Sequence, residues 1–468
     1  MLPAMIQKTT APTVCRCPPA GRSVNGKKRK GFNLQKKWTN ATFGLLIGFF
    51  LPVAAFAGPQ IQHWTNAAGV RVFFVETHAL PIIDVQVDFA AGGVHGPADK
   101  VGLAGMTASL LDQGAGGMDE NAIAERLADV GAQLSNGAGM DRATVSLRSL
   151  SDPAMRMPAL ALMRDIIAAP EFPATVVERE KERSISGLKE ALTKPETQLG
   201  RAFQKALYGD HPYARQATPE TLAALTRDDL VRFHRANYVA TRASVTLVGD
   251  LSRAEAEAIA NQLTEKLPKG APAAALPPVV VPAKGGEIRI EHHAQQAHVA
   301  LGIPALKRGD PDFFALQLGN YTLGGGGFVS RLVGEVREKK GYAYSVYSYF
   351  QPNQELGPFQ IGLQTKRAQA SDALALVRKV LDDFLKNGPT EDELKAAKAN
   401  IVGGFALQLD SSRKLTGQLA TIGFYGLPLD WLDKYQERMS KVTVADVKAA
   451  FARHVQADRL MTVLVAAD

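Results

Sequence analysis

Arg337 and Tyr344 stand seven positions apart in the segment LGGGGFVSRLVGEVREKKGYAYSVYSYF, residues 323–350. A guanidinium is a planar fork of donors and a phenol is a directional donor. Together they can grip a carbonyl oxygen and the negative charge that develops on it under attack. Without further context, Arg337 reads as a solvated helix charge beside Glu335 and Glu338. Tyr342, Tyr347 and Tyr349 read as sheet residues. No Gly-Lys-Ser/Thr follows the glycines at 324–327, which excludes a phosphate loop. They predict a tight turn that lets backbone approach a partner or a peptide.

Other residues of metal-ligand or nucleophile type do not converge. His292, His293 and His298 fall in a strand-like stretch, where neighbours point to opposite faces, so they do not read as a metal cluster. His211, in the turn Gly209-Asp210-His211-Pro212 before a capped helix, and His234 read as packing or surface residues. Cys15 and Cys17 are the only cysteines, and both precede residue 58. Beyond that point thiol catalysis and cysteine-based metal sites are excluded, and no disulfide is needed.

A different segment, VGLAGMTASLLDQG at 101–114, matters for what it lacks. By itself it is an Ala/Leu-rich buried helix. It resembles the first active-site helix of the pitrilysin/insulinase-like zinc peptidases, in the branch of the mitochondrial processing peptidase. There Gly-Leu-Ala is followed by His-x-x-Glu-His, and here that slot reads Gly105-Met106-Thr107-Ala108-Ser109. A catalytic zinc needs about three protein ligands and one open position for the water it acidifies. In the inverted motif two His at i and i+4 share a helix face and the Glu at i+3 is the general base. Gly105 and Ser109 replace the two His, and Ala108 replaces the Glu. The family's third ligand aligns with Ser186 or Gly187 in VEREKERSISGLKEAL. The expectation is that no metal site survives in this chain.

The 323–350 segment resembles the corresponding family segment, and by position Arg337 and Tyr344 match the Arg/Tyr pair that helps bind substrate near the zinc of an opposing domain. In this branch the working enzyme can be a heterodimer in which one chain carries the zinc motif and the other the Arg/Tyr pair. The resemblance therefore implies a non-catalytic subunit of a zinc metallopeptidase. Its partner would supply His-x-x-Glu-His, the third Glu and the zinc, with a peptide as substrate. Two other readings stay open: a stand-alone peptide-binding or holdase-like protein, and a structural assembly subunit for which Arg337 and Tyr344 are dispensable.

Residues 1–57 read as an export leader. They hold nine Lys/Arg and no Asp or Glu, and a basic stretch ending at Lys37 precedes the apolar run ATFGLLIGFFLPVAAFA, which closes on Ala55-Phe56-Ala57. Cleavage there predicts a periplasmic protein without a stable membrane span. A retained inner-membrane anchor and a mitochondrial transit peptide are the alternatives, and the long basic region leaves open a start downstream of Met1. The leader also accounts for the charge. The whole chain is +8, but the 45 Lys/Arg outside it face 46 Asp/Glu, so no nucleic-acid footprint is supported.

These segments need two scaffolds to position them. Residues 267–286, LPKGAPAAALPPVVVPAKGG, form a Pro/Ala-rich linker between a half at 58–266 and a half at 287–468. The halves close alike, with LTRDDLVRFHRANYVATRASVTLVGDL at 225–251 and VTVADVKAAFARHVQADRLMTVLVAAD at 442–468. Each is a Thr cap, an acidic first turn, an amphipathic helix and an apolar strand, which makes an internal repeat. Strands are predicted at VRVFFVET, IDVQVDFAA, IRIEHHAQQAHVALGIP and GPFQIGLQT, and helices at Met155–Ala169 and Ser371–Lys386. The predicted fold is α+β: two homologous domains, each an antiparallel β-sheet packed with helices.

Overall fold

The computed structural model describes residues 60–467. The leader expected over residues 1–57 lies outside them, as do both cysteines. The first half supplies β1 (Gln62–Thr65), β2 (Arg71–Glu76), β3 (Ile82–Phe89), a small hairpin of β4 (Gly114–Ala115) and β5 (Met118–Asp119), β6 (Gln133–Ala138), β7 (Ala143–Leu150) and β8 (Ala243–Gly249). Apart from the hairpin, these strands form one sheet in the order β1-β2-β8-β3-β7-β6. Every residue of β8 is buried, as a strand covered on both faces requires, whereas β7 alternates buried with half-buried positions. The helices are α1 (Leu103–Ser109), α2 (Glu120–Asp129), α3 (Pro153–Ala168), α4 (Ala174–Ala191), α5 (Pro195–Tyr208), α6 (Pro219–Ala223), α7 (Arg227–Asn237) and α8 (Arg253–Thr264).

The second half contains β9 (Gly286–Ile290), β10 (Gln296–Leu306), β11 (Ala343–Phe350), β12 (Gly357–Lys366) and β13 (Met461–Val465), in the order β11-β12-β10-β13-β9. Its helices are α9 (Phe313–Asn320), α10 (Ala370–Asn387), α11 (Glu391–Gly404), α12 (Ser412–Tyr425), α13 (Tyr435–Lys441) and α14 (Val444–His454). The expected helices at Met155–Ala169 and Ser371–Lys386 are α3 and α10. The repeat is equally direct. Thr226 and Asp229 cap α7 reciprocally, Thr443 and Asp446 cap α14 the same way, and each helix leads into the closing strand of its sheet.

Two expectations need correction. The sheets are mixed rather than antiparallel, because β8 runs parallel to β2 and β13 runs parallel to β9. Each closing strand follows a helix rather than a hairpin turn, and that crossover lets it run parallel to a strand near the start of its half, β2 in the first and β9 in the second. The stretch expected as one strand from Ile288 to Pro304 is broken into β9 and β10. His292 lies in the intervening loop, where its Nε2 meets the Thr193 carbonyl at 2.9 Å and its Nδ1 accepts from the Ala294 N–H.

The halves are interlocked by exchanged helices. Helix α5, from the first half, packs on β10 and β13, while α12, from the second, packs on β2, β3 and β8. Each contact places an aromatic ring on a glycine. A Cβ on Gly302 would come 2.9 Å from Phe203 Cζ and 2.1 Å from the Phe359 carbonyl oxygen, and one on Gly423 would come 2.5 Å from Phe73 Cε2. Phe73, Val75 and Val248 accordingly belong to the same apolar core as the second sheet. At the seam, buried Asp141 accepts hydrogen bonds from the Tyr213 and Tyr425 hydroxyls, both at 2.9 Å, and from the Gln354 N–H at 3.0 Å. The linker is tied down as well. Ala240 and Thr241 donate to the carbonyls of Pro268 and Lys269, and His211 Nε2 meets the Pro277 carbonyl at 2.9 Å. Among the described residues no helix is long and apolar enough to cross a membrane.

Candidate functional site

Helix α1 starts after Gly102, whose φ of 105° is costly for other residues. Gly105 and Ser109 share its exposed face, as positions i and i+4 must, and Ala108 is fully buried. A Cβ on Gly105 would meet nothing within 4 Å, so the first ligand position is open space. The Ser109 hydroxyl turns back to its own helix and donates to the Met106 carbonyl at 3.1 Å. Behind Ala108, its carbonyl accepts from Asn136 Nδ2 at 2.6 Å, which fixes α1 to the edge strand β6. Ser186 and Gly187 are exposed on α4. These five residues offer no imidazole, thiolate or carboxylate, so the site cannot assemble a catalytic metal set.

Among the described residues only Asp310, Asp312 and His454 are grouped closely enough to suggest a metal. Nothing in the spacing points to this cluster, because His454 lies far along the chain from the two acids. Its chemistry is already satisfied. Arg453 forks onto both oxygens of Asp312 at 2.7 and 2.8 Å, His454 Nε2 meets Asp312 at 2.9 Å, and His454 Nδ1 meets the Ala305 carbonyl at 2.8 Å. It is an ion-pair network that anchors α14.

The Arg/Tyr site is built on the turn after α9. The chain leaves α9 through a wide helical turn, Tyr321–Gly325, passes a tight turn at Gly327–Val329, and makes a second wide turn over Val333–Lys339. Gly324 is required here, since a Cβ would fall 2.5 Å from Ser348 Oγ on β11. A buried clamp holds the approach: Asn320 Nδ2 donates to the Ser348 carbonyl at 3.1 Å, and Ser348 Oγ donates to Asn320 Oδ1 at 2.7 Å. The segment after the glycines then presents Phe328 and Val329, each 71% exposed.

Tyr344 reaches the same place by another device. Along β11, Ala343 pairs with Thr365 and Ser345 with Gln364, leaving Tyr344 as the extra residue of a bulge. A bulge re-aims a side chain out of the strand's alternation, and Tyr344 is 79% exposed. The Arg337 guanidinium carbon lies 5.0 Å from the Tyr344 ring centre and 4.8 Å from that of Phe328, so the cation is held between two aromatic faces. Its Nε also meets Glu338 at 3.3 Å, while Glu335 is taken by Lys339 at 2.6 Å. Phe328 is the member that sequence reasoning missed. The available signal was a large aromatic placed directly after four glycines. Tyr347 and Tyr349 are strand residues as expected, stacked with centroids 6.1 Å apart.

The structure brings Arg337 and Tyr344 together, and it leaves both apart from α1. The contacts of Arg337 stay within the second half, with Glu338, Phe328 and Tyr344. His234 is structural: it is buried, stacks on Tyr238 at 4.8 Å and meets the Ile167 carbonyl at 2.8 Å.

Two mixed sheets interlocked by exchanged helices, with a ligand-free helix where a peptidase would carry its metal, define a peptidase-like protein whose α1 holds no zinc ligands. Comparison with known proteins gives that class a family. The model described as peptidase M16 inactive domain matches residues 224–401. The crystal structure of a peptidase M16 inactive domain from Pseudomonas fluorescens is 39% identical, with a TM-score of 0.84 over 87% of this chain and 97% of that one. A non-peptidase homologue named YmxG from Helicobacter pylori is 25% identical over 90% of this chain and 97% of its own length. A protease structure from the same organism shares the fold at 19% identity, with a TM-score of 0.80 over 87% of this chain and 99% of that one. The chain belongs to the M16 peptidase family, as an inactive member.

Proposed function

We propose that this chain is the non-catalytic subunit of a heterodimeric zinc metallopeptidase, and that Arg337, Tyr344 and Phe328 grip peptide substrate. The observation that carries the reading is the geometry of Arg337. A half-buried guanidinium held between two rings loses little freedom on binding, and its fork remains available to a peptide carbonyl. Two aromatics at 71% and 79% exposure add apolar area that a bound peptide would cover. The partner would carry His-x-x-Glu-His, the third Glu and the zinc, because α1 offers no ligand. Relatives that include both an inactive M16 domain and a non-peptidase homologue support a chain that cuts nothing alone. The leader places the assembly in the periplasm in this reading.

The test is purification of the tagged chain from its native cells under mild conditions, with mass spectrometry and zinc analysis of whatever accompanies it. A stoichiometric partner with the zinc motif, about one zinc per pair, and peptide turnover that collapses when Arg337 is changed would support the proposal. A zinc-free chain that is alone or paired with itself, and still binds peptide, would replace it with a peptide-binding protein.

A further inference from the structure

Three arginines converge on a cleft at the seam between the halves. The cleft, about 240 Å³, is lined by Arg71 at the start of β2, Thr241 and Arg242 before β8, Arg308 just past β10, and Gln354 and Tyr425, with Ala90, Ala273 and Phe424 as its apolar walls. No aspartate or glutamate lines it.

None of these cations makes an ion pair among the described residues, and the carboxylate whose charge acts on Arg308, Asp141, lies outside the lining. Arg242 is held entirely by neutral groups: its Nε donates to the Ala271 carbonyl at 3.0 Å, one terminal nitrogen to Asn237 Oδ1 at 2.5 Å, and the other to the Pro272 carbonyl at 3.4 Å. Arg308 sits 5.2 Å from the Tyr425 ring, and its Nε is buried without a hydrogen-bond partner. The side chain of Arg71 forms no ion pair among the described residues. Nearby carboxylates are committed elsewhere. Asp141 is occupied by Tyr213, Tyr425 and Gln354. Asp88 is fully buried and faces Arg142 at 3.3 Å and Thr144 at 2.6 Å. Glu355 is paired with Lys307 at 2.5 Å. Burial lowers the pKa of Arg242 and Arg308, both half-buried, and partial desolvation lowers that of Arg71, an otherwise exposed residue. A guanidinium does not give up its proton in a protein, so the remedy for such desolvation is an opposite charge brought from outside. The concentration of charge is local, because the chain outside residues 1–57 is close to neutral.

We infer that this seam cleft binds the carboxylate or phosphate group of a small ligand, with Arg71 and Arg308 as its principal contacts. Planar forks suit both oxyanions. Arg71 and Arg242 come from the first half and Arg308 from the second, so a bound anion bridges the halves and stabilises the folded chain by mass action.

The experiment is thermal unfolding and calorimetric titration of the purified chain in a chloride buffer of constant ionic strength. The probes are inorganic phosphate, and a short peptide with either a free or an amidated C-terminus. Saturable binding with a rise in Tm of several degrees is expected for one of the oxyanions. R71Q and R308Q should each weaken it about tenfold or more, and R413Q, on the exposed start of α12, should leave it unchanged. Phosphate binding alone identifies a phosphate ligand; binding of the free but not the amidated peptide identifies a terminal carboxylate. No saturable shift, or the same shift in wild type, R71Q and R413Q, overturns the site. R71Q makes the test secure if R308Q fails to fold, because no side-chain contact of Arg71 is lost.

Discussion

The Arg337 guanidinium carbon lies 5.0 Å from the centre of the Tyr344 ring, although one residue sits on a wide helical turn and the other on a strand bulge. The two are brought together by irregularities in different elements. Neither a regular helix nor a regular strand would do it: in alternation Tyr344 would fall within the ladder rather than outside it. Wide turns and bulges cost regular hydrogen bonding and are found preferentially at functional places.

The first prediction follows from that pairing. R337A should lower kcat/KM of the assembled enzyme by at least about tenfold, as loss of a central arginine anchor does, without changing its zinc content. R337K should recover only part of the loss, since an ammonium keeps the charge but neither the fork nor the stacking plane. Because Phe328 and Tyr344 are exposed and Arg337 is only half-buried, the Tm of the isolated chain should barely move. Turnover equal to wild type in R337A would mean that the pair plays no part in substrate binding.

Helix α1 makes a second prediction, about what cannot be restored. G105H/S109H should fold normally, because both positions are exposed and Gly105 faces open space. A108E should not be tolerated. Its carboxylate would enter a fully buried position with no cation beside it, at a cost of several kcal/mol. Denaturant unfolding of each variant checks the contrast, and a peptidase assay of G105H/S109H with zinc should stay at background, because the general base is still missing at Ala108 and the third ligand at Ser186 and Gly187.

The exchanged helices give a third. Since Phe203 packs on Gly302 and Phe73 on Gly423, G302A and G423A should each destabilise the chain by about 1–3 kcal/mol through overpacking. F203A should cost about 3–5 kcal/mol through the cavity it leaves. In all three, unfolding followed by calorimetry should remain a single transition, because Phe73, Val75 and Val248 of the first sheet lie in the second sheet's core and α5 packs on the second sheet in return. Two separated transitions would show that the halves fold independently.

How much of this was legible depended on the range of the interaction. The Thr-x-x-Asp caps of α7 and α14, the lengths of α3 and α10 and the missing ligands of α1 are local facts, and the chain displays them. Arg337 and Tyr344 were found through the resemblance of their segment to the family's, but Phe328 was not, because nothing in a sequence says that an aromatic after four glycines will be left uncovered. The bulge at Tyr344 depends on how β12 pairs. The exchange of α5 and α12 depends on Gly302 and Gly423, two small residues whose meaning appears only when a ring from the other half lies against them. The break between β9 and β10 was hidden by a run of residues that suit a strand on pattern alone, and His292 then finds its partner a long way back at Thr193.

A last prediction concerns acid. Burial beside Phe172 and Tyr238 lowers the His234 pKa to about 4, against the opposing hydrogen bond to the Ile167 carbonyl, with Arg235 adding to the shift. In the unfolded chain the group titrates near the ordinary value of about 6.5. Between those two pH values the unfolded state binds the proton and the folded state does not, so stability falls as pH falls through this window. The contribution is present in full above about pH 6.5 and is lost near pH 4, a change of about 3 kcal/mol. Urea unfolding at intervals from pH 7 to pH 4 should show that loss in the wild type, superimposed on the titration of the carboxylates. H234Q keeps a donor for the Ile167 carbonyl but does not titrate, and the difference between the two curves should shrink by about 3 kcal/mol across the same window. Parallel curves would mean that His234 is solvated or protonated in the folded chain.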